Sequence, residues 1–329
     1  MYNIKLAREK DIPELIDFFR KVYRSGHIMT EKEYLRWQFN EAPANPCYPD
    51  YPNLILEKGK RVVGHLGLIP YEFRIHGKLL KAAFLACLIV EEELRSHGAG
   101  VRLVREAEKY FDILYTTGFL PPVAPIFKFC HWSEEVNMTR WVHECRKDYE
   151  FAEDPAVVSI DRFGEDWDVT WGRLRDNYAM TIDRSARYLN WRFIDNPQIR
   201  YQIFGGRESY IILRVEKGDE FTAGRIVDLI GDTEAVTRLL RRAVEFAVNI
   251  KADFVDFFSF PEVHREAFQR SGFYMYNHNV NPEPPIFILP ADRKMLTLNF
   301  SYKCADSEVQ IRPEDWFVVK ADGDRDRAY

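Results

Sequence analysis

Val90-Glu91-Glu92-Glu93-Leu94-Arg95-Ser96-His97-Gly98-Ala99-Gly100 joins an apolar segment to an amphipathic one. The apolar segment, residues 82–90, predicts a buried strand. In residues 101–111 the apolar side chains recur at helical spacing while the charged ones face elsewhere, which predicts a helix. Gly98 and Gly100 allow a tight turn and place no side chain in front of the first amides of that helix. The sequence therefore predicts a strand, a small-residue turn and a helix.

This turn is suited to bind a phosphate or pyrophosphate group. The first amides of a helix have no partner within the helix and carry the positive end of its dipole. Arg95 adds a fixed positive charge and several hydrogen-bond donors beside them. The alternative is a plain strand-to-helix turn with Arg95 in solvent. The chain has no Gly-x-x-x-x-Gly-Lys-Ser/Thr motif, and this turn has no Gly-x-Gly-x-x-Gly fingerprint, which excludes a P-loop and disfavours a dinucleotide site.

The pattern Val-x-x-x-x-Arg-x-x-Gly-x-Gly, running from a strand into a helix, resembles the acyl-coenzyme A pyrophosphate loop of the GNAT superfamily of N-acetyltransferases. Val90, Arg95, Gly98 and Gly100 match this pattern. The resemblance implies that acetyl-CoA is the co-substrate and that its binding residues are Leu88, Ile89, Val90, Arg95, Ser96, His97, Gly98, Ala99, Gly100 and Val101. It also implies that the pantetheine arm pairs with Val90 and its neighbours as an added strand.

Length and composition describe an ordinary globular protein with room for two domains. The chain has 329 residues, of which 46% are hydrophobic and 29% charged. Its net charge of −5 gives a nucleic-acid partner no electrostatic support. No apolar run is long enough to cross a membrane, and the first residues carry no secretory pattern. The five cysteines form no Cys-x-x-Cys pair and no convincing metal-ligand spacing, so we expect a cytoplasmic protein with free thiols, no membrane partner and no bound metal.

The order of the predicted elements and an internal repeat indicate two related domains. Residues 2–132 read as β-α-α-β-β-β-α-β, which resembles the order of a GNAT domain. Residues 34–39 (YLRWQF) recur as residues 188–193 (YLNWRF), each followed by a proline at the same distance. We expect an α/β (mixed α+β) fold with two GNAT-like domains, each a central mixed, mostly antiparallel sheet flanked by helices. Residues 1–150 would form the acyl-CoA-binding domain, and residues 151–329 a second, degenerate domain with a carboxyl-terminal tail.

The second half lacks the features of the phosphate loop. At the corresponding turn it has Gly231-Asp232-Thr233-Glu234-Ala235. Asp232 or Thr233 can cap the following helix and so satisfy its free amides internally. Asp232 and Glu234 also place negative charge where a pyrophosphate needs positive charge. We therefore expect coenzyme A to bind to the first half only.

The catalytic groups are less well specified than the binding loop. In the family a short helix carries Phe-Tyr-x-x-x-Gly-Phe, and its tyrosine often protonates the departing thiolate. Phe127 stands in the position of that tyrosine, so the usual acid is missing. The family's oxyanion donor is a backbone amide on the strand before the loop, which falls at Leu88. Tyr115 is a candidate replacement acid, and Glu92 is a candidate for relaying a proton through water.

Other reactive side chains have structural interpretations that we favour. His65 and His76 are candidate bases on neighbouring strands, but such residues are more often packed or exposed structural ones. Cys87 lies beside the expected acyl carbon, within an apolar run that favours an inert buried thiol. The acidic end at Asp322-Gly323-Asp324 is interpreted first as solvated chain. Alternatively it folds back over the substrate groove with Trp316 as its anchor, where it would suit a cationic amine or a sugar hydroxyl.

The prediction is an acyl-CoA-dependent N-acyltransferase that moves an acetyl group to a primary amine by direct transfer in a ternary complex. The acceptor would be a small molecule or a peptide. One alternative is a peptidoglycan-bridge aminoacyltransferase, which pairs two GNAT-like halves but uses charged tRNA. The intact loop and the acidic net charge disfavour it. The other alternative is a non-catalytic acyl-CoA sensor or scaffold, which the missing tyrosine permits.

Overall fold

The computed structural model describes residues 2–23, 25–145, 154–206, 208–280, 284–288, 297–305 and 311–326 in full, and residues 291–292 by their backbone. The strands in chain order are β1 (Tyr2–Ala7), β2 (Tyr51–Lys58), β3 (Arg61–Ile75), β4 (Lys78–Val90), β5 (Ile113–Thr117), β6 (Val136–Asn137), β7 (Thr139–Glu144), β8 (Val158–Ser159), β9 (Met180–Ile182), β10 (Tyr201–Gly206), β11 (Ser209–Lys217), β12 (Thr222–Ile230), β13 (Phe254–Phe260), β14 (Tyr274–Met275), β15 (Phe287–Ile288), β16 (Ala291–Asp292), β17 (Asn299–Cys304) and β18 (Val318–Val319). The helices are α1 (Ile12–Val22), α2 (Lys32–Leu35), α3 (Ala99–Ala107), α4 (Ala124–Phe129), α5 (Glu165–Leu174), α6 (Ala186–Leu189), α7 (Thr233–Asn249) and α8 (Arg265–Arg270).

The first sheet has the strand order β1-β2-β3-β4-β5-β17-β6, with β9 paired to the far end of β3. Its neighbours are antiparallel except for β4 and β5, which are parallel. Side chains alternate along β4, so Phe84 and Ala86 belong to one apolar cluster while Ala83 and Leu85 belong to another. The first cluster includes α1, α2 and α6, and the second includes α3 and α4. Both faces of this sheet are therefore covered.

The second sheet has the order β14-β7-β13-β12-β11-β10-β8, with β18 on β13, and β12–β13 is its parallel pair. Helix α7 packs on it through a buried stripe at helical spacing: Val236, Leu239, Leu240, Ala243, Val244 and Ala247. Asp232 caps this helix, because its carboxylate accepts the Ala235 amide at 2.8 Å. The two sheets therefore share one plan, an antiparallel hairpin followed by a parallel crossover through a helix.

The two sheets exchange strands across residue 150. Strand β7 leaves the first half and pairs with β13 in the second sheet, while β17 from near the carboxyl end pairs with β5 in the first. Strand β9 also crosses, to pair with β3. The division into residues 1–150 and 151–329 thus follows the order of the chain, whereas each sheet is completed by residues from both sides of that boundary.

The repeated hexapeptides lie in matching elements that contact each other. Each begins as a short α-helix, α2 or α6, and continues as a π-helical turn, Arg36–Asn40 or Asn190–Ile194. The Trp37 indole nitrogen donates to the Trp191 carbonyl at 2.9 Å, and the Trp191 indole donates to the Trp37 carbonyl at the same distance. The two rings stack with centroids 5.3 Å apart. These reciprocal contacts relate the two halves as in a local two-fold arrangement.

Candidate active site

The parallel strands β4 and β5 are paired over only part of their length and separate after Phe84 and Tyr115. Their pairing runs from Ala82–Ile113 to Phe84–Tyr115, yet β4 continues to Val90. In the pairing of β4 with β3, His65 lies opposite Ile89 and Gly67 opposite Ala86, so β4 has one extra residue between them. Such a bulge bends a strand and leaves a residue outside the regular ladder. The bulge and the separation open a gap in the sheet.

The bulge is centred on Cys87 and Leu88, which have no register partner on β3. Cys87 has a φ of 54°, an uncommon conformation for a residue other than glycine. The buried ring of His65 lies behind it, with Nδ1 3.1 Å from the Cys87 carbonyl oxygen and Nε2 2.6 Å from the Asn53 side-chain oxygen. Burial lowers the pKa of His65 to about 4, so its ring is neutral near pH 7. His65 therefore supports the bulge and is poorly suited to act as a base.

A cavity of about 260 Å³ occupies the gap between β4 and β5. Its apolar walls come from the bulged end of β4 and from the segment around α4, namely Leu85, Leu88, Ile89, Phe119, Leu120, Val123 and Phe127. Cys87, Thr116, Tyr23 and two residues of the carboxyl-terminal segment, Asp324 and Arg325, complete the lining. Leu85 and Phe127 belong to the cluster on the α3 face, whereas Tyr23 packs on the cluster of the opposite face. The cavity is therefore lined by residues from both faces of the sheet.

The predicted phosphate loop follows directly from the end of β4. Residues Glu92–His97 form a 3-10 turn anchored by buried Leu94, and Arg95, Ser96 and His97 are exposed. Gly98 has a φ of 71°, and α3 begins at the next residue. The first bond of that helix runs from the Arg102 amide to the Gly98 carbonyl, so the amides of the first turn point out of its end without helical partners.

The two glycines of the loop have different roles. A Cβ on Gly98 would meet nothing within 4 Å, so the left-handed backbone is what requires glycine there. A Cβ on Gly100 would lie 2.7 Å from Cδ1 of Ile126, so that position needs glycine for α3 to pack against α4. The sequence pattern suggests ligand access as the reason for both glycines. The structure adds helix packing as the reason for Gly100.

The three weak catalytic candidates lie in different surroundings. Leu88 lines the cavity at the bulge. Tyr115 is fully buried and does not line the cavity. Its hydroxyl donates to the Asp322 carbonyl at 2.7 Å, and burial raises the pKa of that hydroxyl well above its ordinary value. Glu92 is exposed on the outer turn. Phe127, in the position of the family's tyrosine, lies in the cavity wall and has no proton to donate.

The acidic carboxyl-terminal segment is buried, so its interpretation as solvated chain was wrong. Trp316 is 2% exposed, as expected of an anchor. Asp322 accepts hydrogen bonds from Arg184 at 3.0 and 3.1 Å, and Asp326 accepts from Arg214 at 2.9 Å. These arginines come from distant parts of the chain and neutralise the acidic residues in the interior. Cys87 was also misplaced, because it is only partly buried and faces the cavity.

The same segment fills the gap of the second sheet. Strands β12 and β13 pair in parallel only as far as Ile226 and Phe257, so they separate as β4 and β5 do. Here β18 pairs with the end of β13, and Arg184 links Asp228 of β12 to Asp322 of the segment. The site equivalent to the first cavity is thus occupied by the chain itself; binding of coenzyme A to the first half only stays a prediction.

Metal-binding clusters and membrane-spanning helices are both absent from the described part of the chain. Among the residues described, no group of three or more His, Cys, Asp or Glu side chains is placed to hold a metal ion. Within the same ranges, none of the helices combines the length and apolar character needed to cross a bilayer.

Comparisons with known proteins agree with the fold. A family model described as an acetyltransferase (GNAT) domain matches residues 3–113. A GCN5-related N-acetyltransferase from Anabaena variabilis superposes with a TM-score of 0.63 at 11% identity, covering 93% of this chain and 73% of that one. A putative acetyltransferase from Pyrococcus horikoshii gives 0.55 at 13% identity, covering 96% and 92%. The Saccharomyces cerevisiae N-myristoyltransferase with bound myristoyl-CoA gives 0.54 at 12% identity, covering 92% and 82%. No curated protein sequence matches the chain.

The solved neighbours are 11–13% identical to this chain, so their likeness concerns the fold. The two sheets of the chain share the same plan and stand in tandem. Residues 3–113 match the model of a GNAT acetyltransferase domain, and a second sheet built on the same plan follows in the chain.

Proposed function

We propose that the protein is an acyl-CoA-dependent N-acyltransferase that transfers an acetyl group from acetyl-CoA to a primary amine. The observation that carries this proposal is the cavity in the gap between β4 and β5, which is lined from both faces of the first sheet and by the bulged end of the strand that leads into the glycine turn. We expect the coenzyme to reach this gap from the α3 face and the acceptor to approach from the opposite face. A small molecule or a peptide amine fits this arrangement.

The coenzyme would bind along the bulged strand and the turn after it. The amides of Ala99, Gly100 and Val101 would hold the pyrophosphate, with Arg95, Ser96 and His97 beside it. Leu88, Ile89 and Val90 would pair with the pantetheine arm, because β5 has separated from this part of β4 and leaves its edge open. The second sheet offers no equivalent edge, since the chain fills its gap.

A short acyl group suits this cavity. Its lining includes a carboxylate and a guanidinium, those of Asp324 and Arg325. A long alkyl chain packed against these groups would bury charge without giving it hydrogen bonds, which is unfavourable. This favours acetyl over the long acyl group named for the yeast neighbour.

In the reaction, the neutral amine nitrogen attacks the thioester carbonyl and forms a C–N bond. The oxyanion of the tetrahedral intermediate would accept a hydrogen bond from the backbone amide at Leu88, which the bulge frees from the ladder with β3. Collapse breaks the C–S bond, the nitrogen loses one proton to the solvent and keeps the other as the amide N–H, and the coenzyme thiolate takes a proton from water. Positioning two reactants in one cavity supplies much of the rate enhancement in such a direct transfer.

A cytoplasmic location is part of the proposal. The cysteines of the described chain, Cys47, Cys87, Cys130, Cys145 and Cys304, form no disulfides. Free thiols are typical of proteins in a reducing compartment. Acetyl-CoA is the co-substrate that we propose in that compartment.

The test compares two glycines that share a backbone conformation. Gly98 and Gly59 have φ values of 71° and 68°, and at neither position would an added Cβ meet another atom within 4 Å. Gly98→Glu should abolish acetyl-CoA binding in titration calorimetry, because a carboxylate would face the pyrophosphate. Gly59→Glu, in the β2–β3 turn, carries the same strain and charge and should bind as the wild type does. Equal affinities of the two variants would contradict the proposed site.

A non-catalytic acyl-CoA sensor is the second candidate, favoured by one observation. Phe127 occupies the cavity wall where the family's tyrosine is expected. Release of free thiol from acetyl-CoA over a panel of amines separates the two functions. A sensor binds acetyl-CoA but releases no thiol with any amine, whereas the proposed enzyme releases thiol in proportion to acceptor.

A further inference from the structure

We infer that the Arg325 guanidinium binds a carboxylate group of the acceptor, so that the preferred substrates are amines that also carry a carboxylate, as amino acids do. This inference rests on the proposed function and narrows its substrate class. It gives a role to a cation of the carboxyl-terminal segment that the transfer step itself does not use.

The segment that carries Arg325 lies on the face of the first sheet opposite α3. The Tyr115 hydroxyl donates to the Asp322 carbonyl at 2.7 Å, and the Gly323 backbone passes so close to Phe84 that an added Cβ would lie 2.4 Å from its ring. Tyr115 and Phe84 both belong to the apolar cluster that includes α1, α2 and α6. Arg325 is therefore on the side from which we expect the acceptor to approach.

Ion pairs hold the backbone on both sides of Arg325. Three residues earlier, the Asp322 carboxylate accepts from Arg184 at 3.0 and 3.1 Å. The next residue, Asp326, accepts from Arg214 at 2.9 Å. All four of these side chains are buried. This part of the segment therefore has a fixed place beside the cavity, which Arg325 lines.

Gly118, which follows the last residue of β5, lets the Arg325 side chain lie across the strand. Gly118 has a φ of 61°, and a Cβ there would be 2.6 Å from Nε of Arg325 and 3.0 Å from its Cδ. Because no side chain stands in the way, Nε donates to the Thr117 carbonyl at 3.2 Å. This hydrogen bond and the close contact with Gly118 hold the guanidinium at the end of β5.

The guanidinium keeps one edge for a ligand. Its Nε is used by the Thr117 carbonyl, and an Asp324 oxygen lies 3.7 Å from the same nitrogen, a distance longer than a hydrogen bond. Among the described residues, none accepts a hydrogen bond from the two terminal nitrogens. Arg325 lines the cavity and its side chain is 20% exposed, so a ligand in the cavity can reach these donors.

Two terminal N–H groups side by side match the two oxygens of a carboxylate. Such a bidentate, charge-assisted contact is strong and also fixes the direction of the ligand. The amino group of the acceptor takes no part in this contact, so it can lose its proton and attack the thioester as a neutral nucleophile. A carboxylate held by Arg325 would place that amine in the same cavity as Leu88, which lies at the bulge. The volume of about 260 Å³, shared with the thioester, favours a small acceptor.

The test uses the full chain and measures thiol release and acetyl-CoA binding separately. The probes are glycine, β-alanine and γ-aminobutyrate, each compared with its own amide, which has nearly the same shape without the negative charge. The three chain lengths sample different spacings between carboxylate and amine. The measured quantity is the ratio of kcat/KM for each acid to kcat/KM for its amide. In the wild type we expect this ratio to exceed roughly ten for at least one pair.

Four variants locate the origin of that preference. Arg325→Gln should lower the ratio by roughly ten- to a hundredfold, mainly through KM, while the dissociation constant of acetyl-CoA changes by less than about threefold. Arg325→Lys keeps the charge without the forked donors and should fall between. Gly118→Ala should also lower the ratio, because its Cβ would displace the guanidinium. Gly59→Ala is the matched control: its φ is 68°, a Cβ there meets nothing within 4 Å, and its ratio should equal that of the wild type.

The outcomes separate this inference from the proposed function. If the wild type releases thiol equally well with acids and amides, or only with amines that lack an acidic group, the inference is wrong and the proposed function stands. The same conclusion follows if a folded Arg325→Gln protein keeps the preference for acids, or if it loses acetyl-CoA binding together with activity. Equal ratios for Gly118→Ala and Gly59→Ala would contradict the placement of the guanidinium at the end of β5. If the wild type binds acetyl-CoA but releases no thiol with any amine, the proposed function fails and the inference fails with it.

Discussion

The reciprocal contact of Trp37 and Trp191 predicts that the two residues contribute equally to stability. Each indole donates one hydrogen bond of 2.9 Å to the other's backbone carbonyl, and the side chains are 6% and 7% exposed. Replacing either tryptophan by phenylalanine removes one donor and leaves a buried carbonyl without its partner. The two changes are therefore equivalent in the structure, although they lie in different halves of the chain.

The magnitude follows from these contacts. A buried acceptor that loses its donor costs about 1–3 kcal/mol, and the gap left by the smaller ring adds a further term. We expect Trp37→Phe and Trp191→Phe each to lower the free energy of unfolding by roughly 2–4 kcal/mol. Trp132 is the control because it is also 7% exposed, yet its indole makes only a 3.4 Å contact with Glu108. Trp132→Phe should cost clearly less than either.

Urea denaturation followed by circular dichroism and by fluorescence measures these differences. Because the sheets exchange strands, we expect one transition with both probes for every variant. The reasoning fails if the two tryptophan variants differ from each other by more than about 1 kcal/mol, since the structure gives them identical bonds. Two separate transitions, of which each variant shifts only one, would also contradict it.

Three further predictions concern the coenzyme site and the buried charges. Arg95→Ala should weaken acetyl-CoA affinity in calorimetry by roughly ten- to a hundredfold, with little change in kcat because the phosphates are held alike in the ground and transition states. Arg95→Lys should have an intermediate affinity, because lysine keeps the charge without the forked donors. Unchanged affinity would remove Arg95 from the site. N-ethylmaleimide labelling of Cys87, read by mass spectrometry, should be blocked by acetyl-CoA because this thiol lines the cavity, and labelling that ignores the coenzyme would contradict the binding path. Burial lowers the pKa of Lys320 to about 8 from 10.5, so the unfolded chain binds that proton more tightly and stability should rise between about pH 8 and pH 10. Replacing this lysine, in Lys320→Met, should remove the rise in stability between pH 8 and pH 10. In urea titrations at neutral pH the variant should be more stable than the wild type by up to roughly 3 kcal/mol. A variant whose stability rises as steeply as that of the wild type would show that Lys320 is not the group responsible.

The sequence predicted the elements around the loop because their signals are local. The apolar run of β4, the glycine at a left-handed position and the stripe of α3 each act over a few residues. Asp232 could likewise be identified as a cap from its place before α7. The hexapeptide repeat predicted that Trp37 and Trp191 lie in equivalent elements. The reciprocal hydrogen bonds between the two tryptophans could not be predicted, because a repeat says nothing about how its copies pack.

The features that the sequence did not predict depend on contacts between segments that are far apart in the chain. The bulge at Cys87 lies inside a continuous apolar run, where no break in periodicity marks the extra residue. Strand β17 has the composition of any edge strand, and only the assembled sheet determines that it pairs with β5. The acidic tail had the local composition of solvated chain, yet Arg184 and Arg214 neutralise it from far away. Tyr23 was missed as a cavity residue for the same reason, whereas Asp324 was expected near the groove only in the second interpretation of the acidic end.

The exchange of strands also sets when the first sheet can be completed during synthesis. The chain leaves the ribosome from its amino end at about 5–20 residues per second, so the glycine turn emerges early. The contact between the Tyr115 hydroxyl and the Asp322 carbonyl joins positions 207 apart, and the edge of β5 waits for β17. Until both segments have emerged, the nascent chain has an open edge at β5 and a tyrosine hydroxyl without its acceptor. The proposed coenzyme site is therefore completed late in synthesis, long after its own loop has been made.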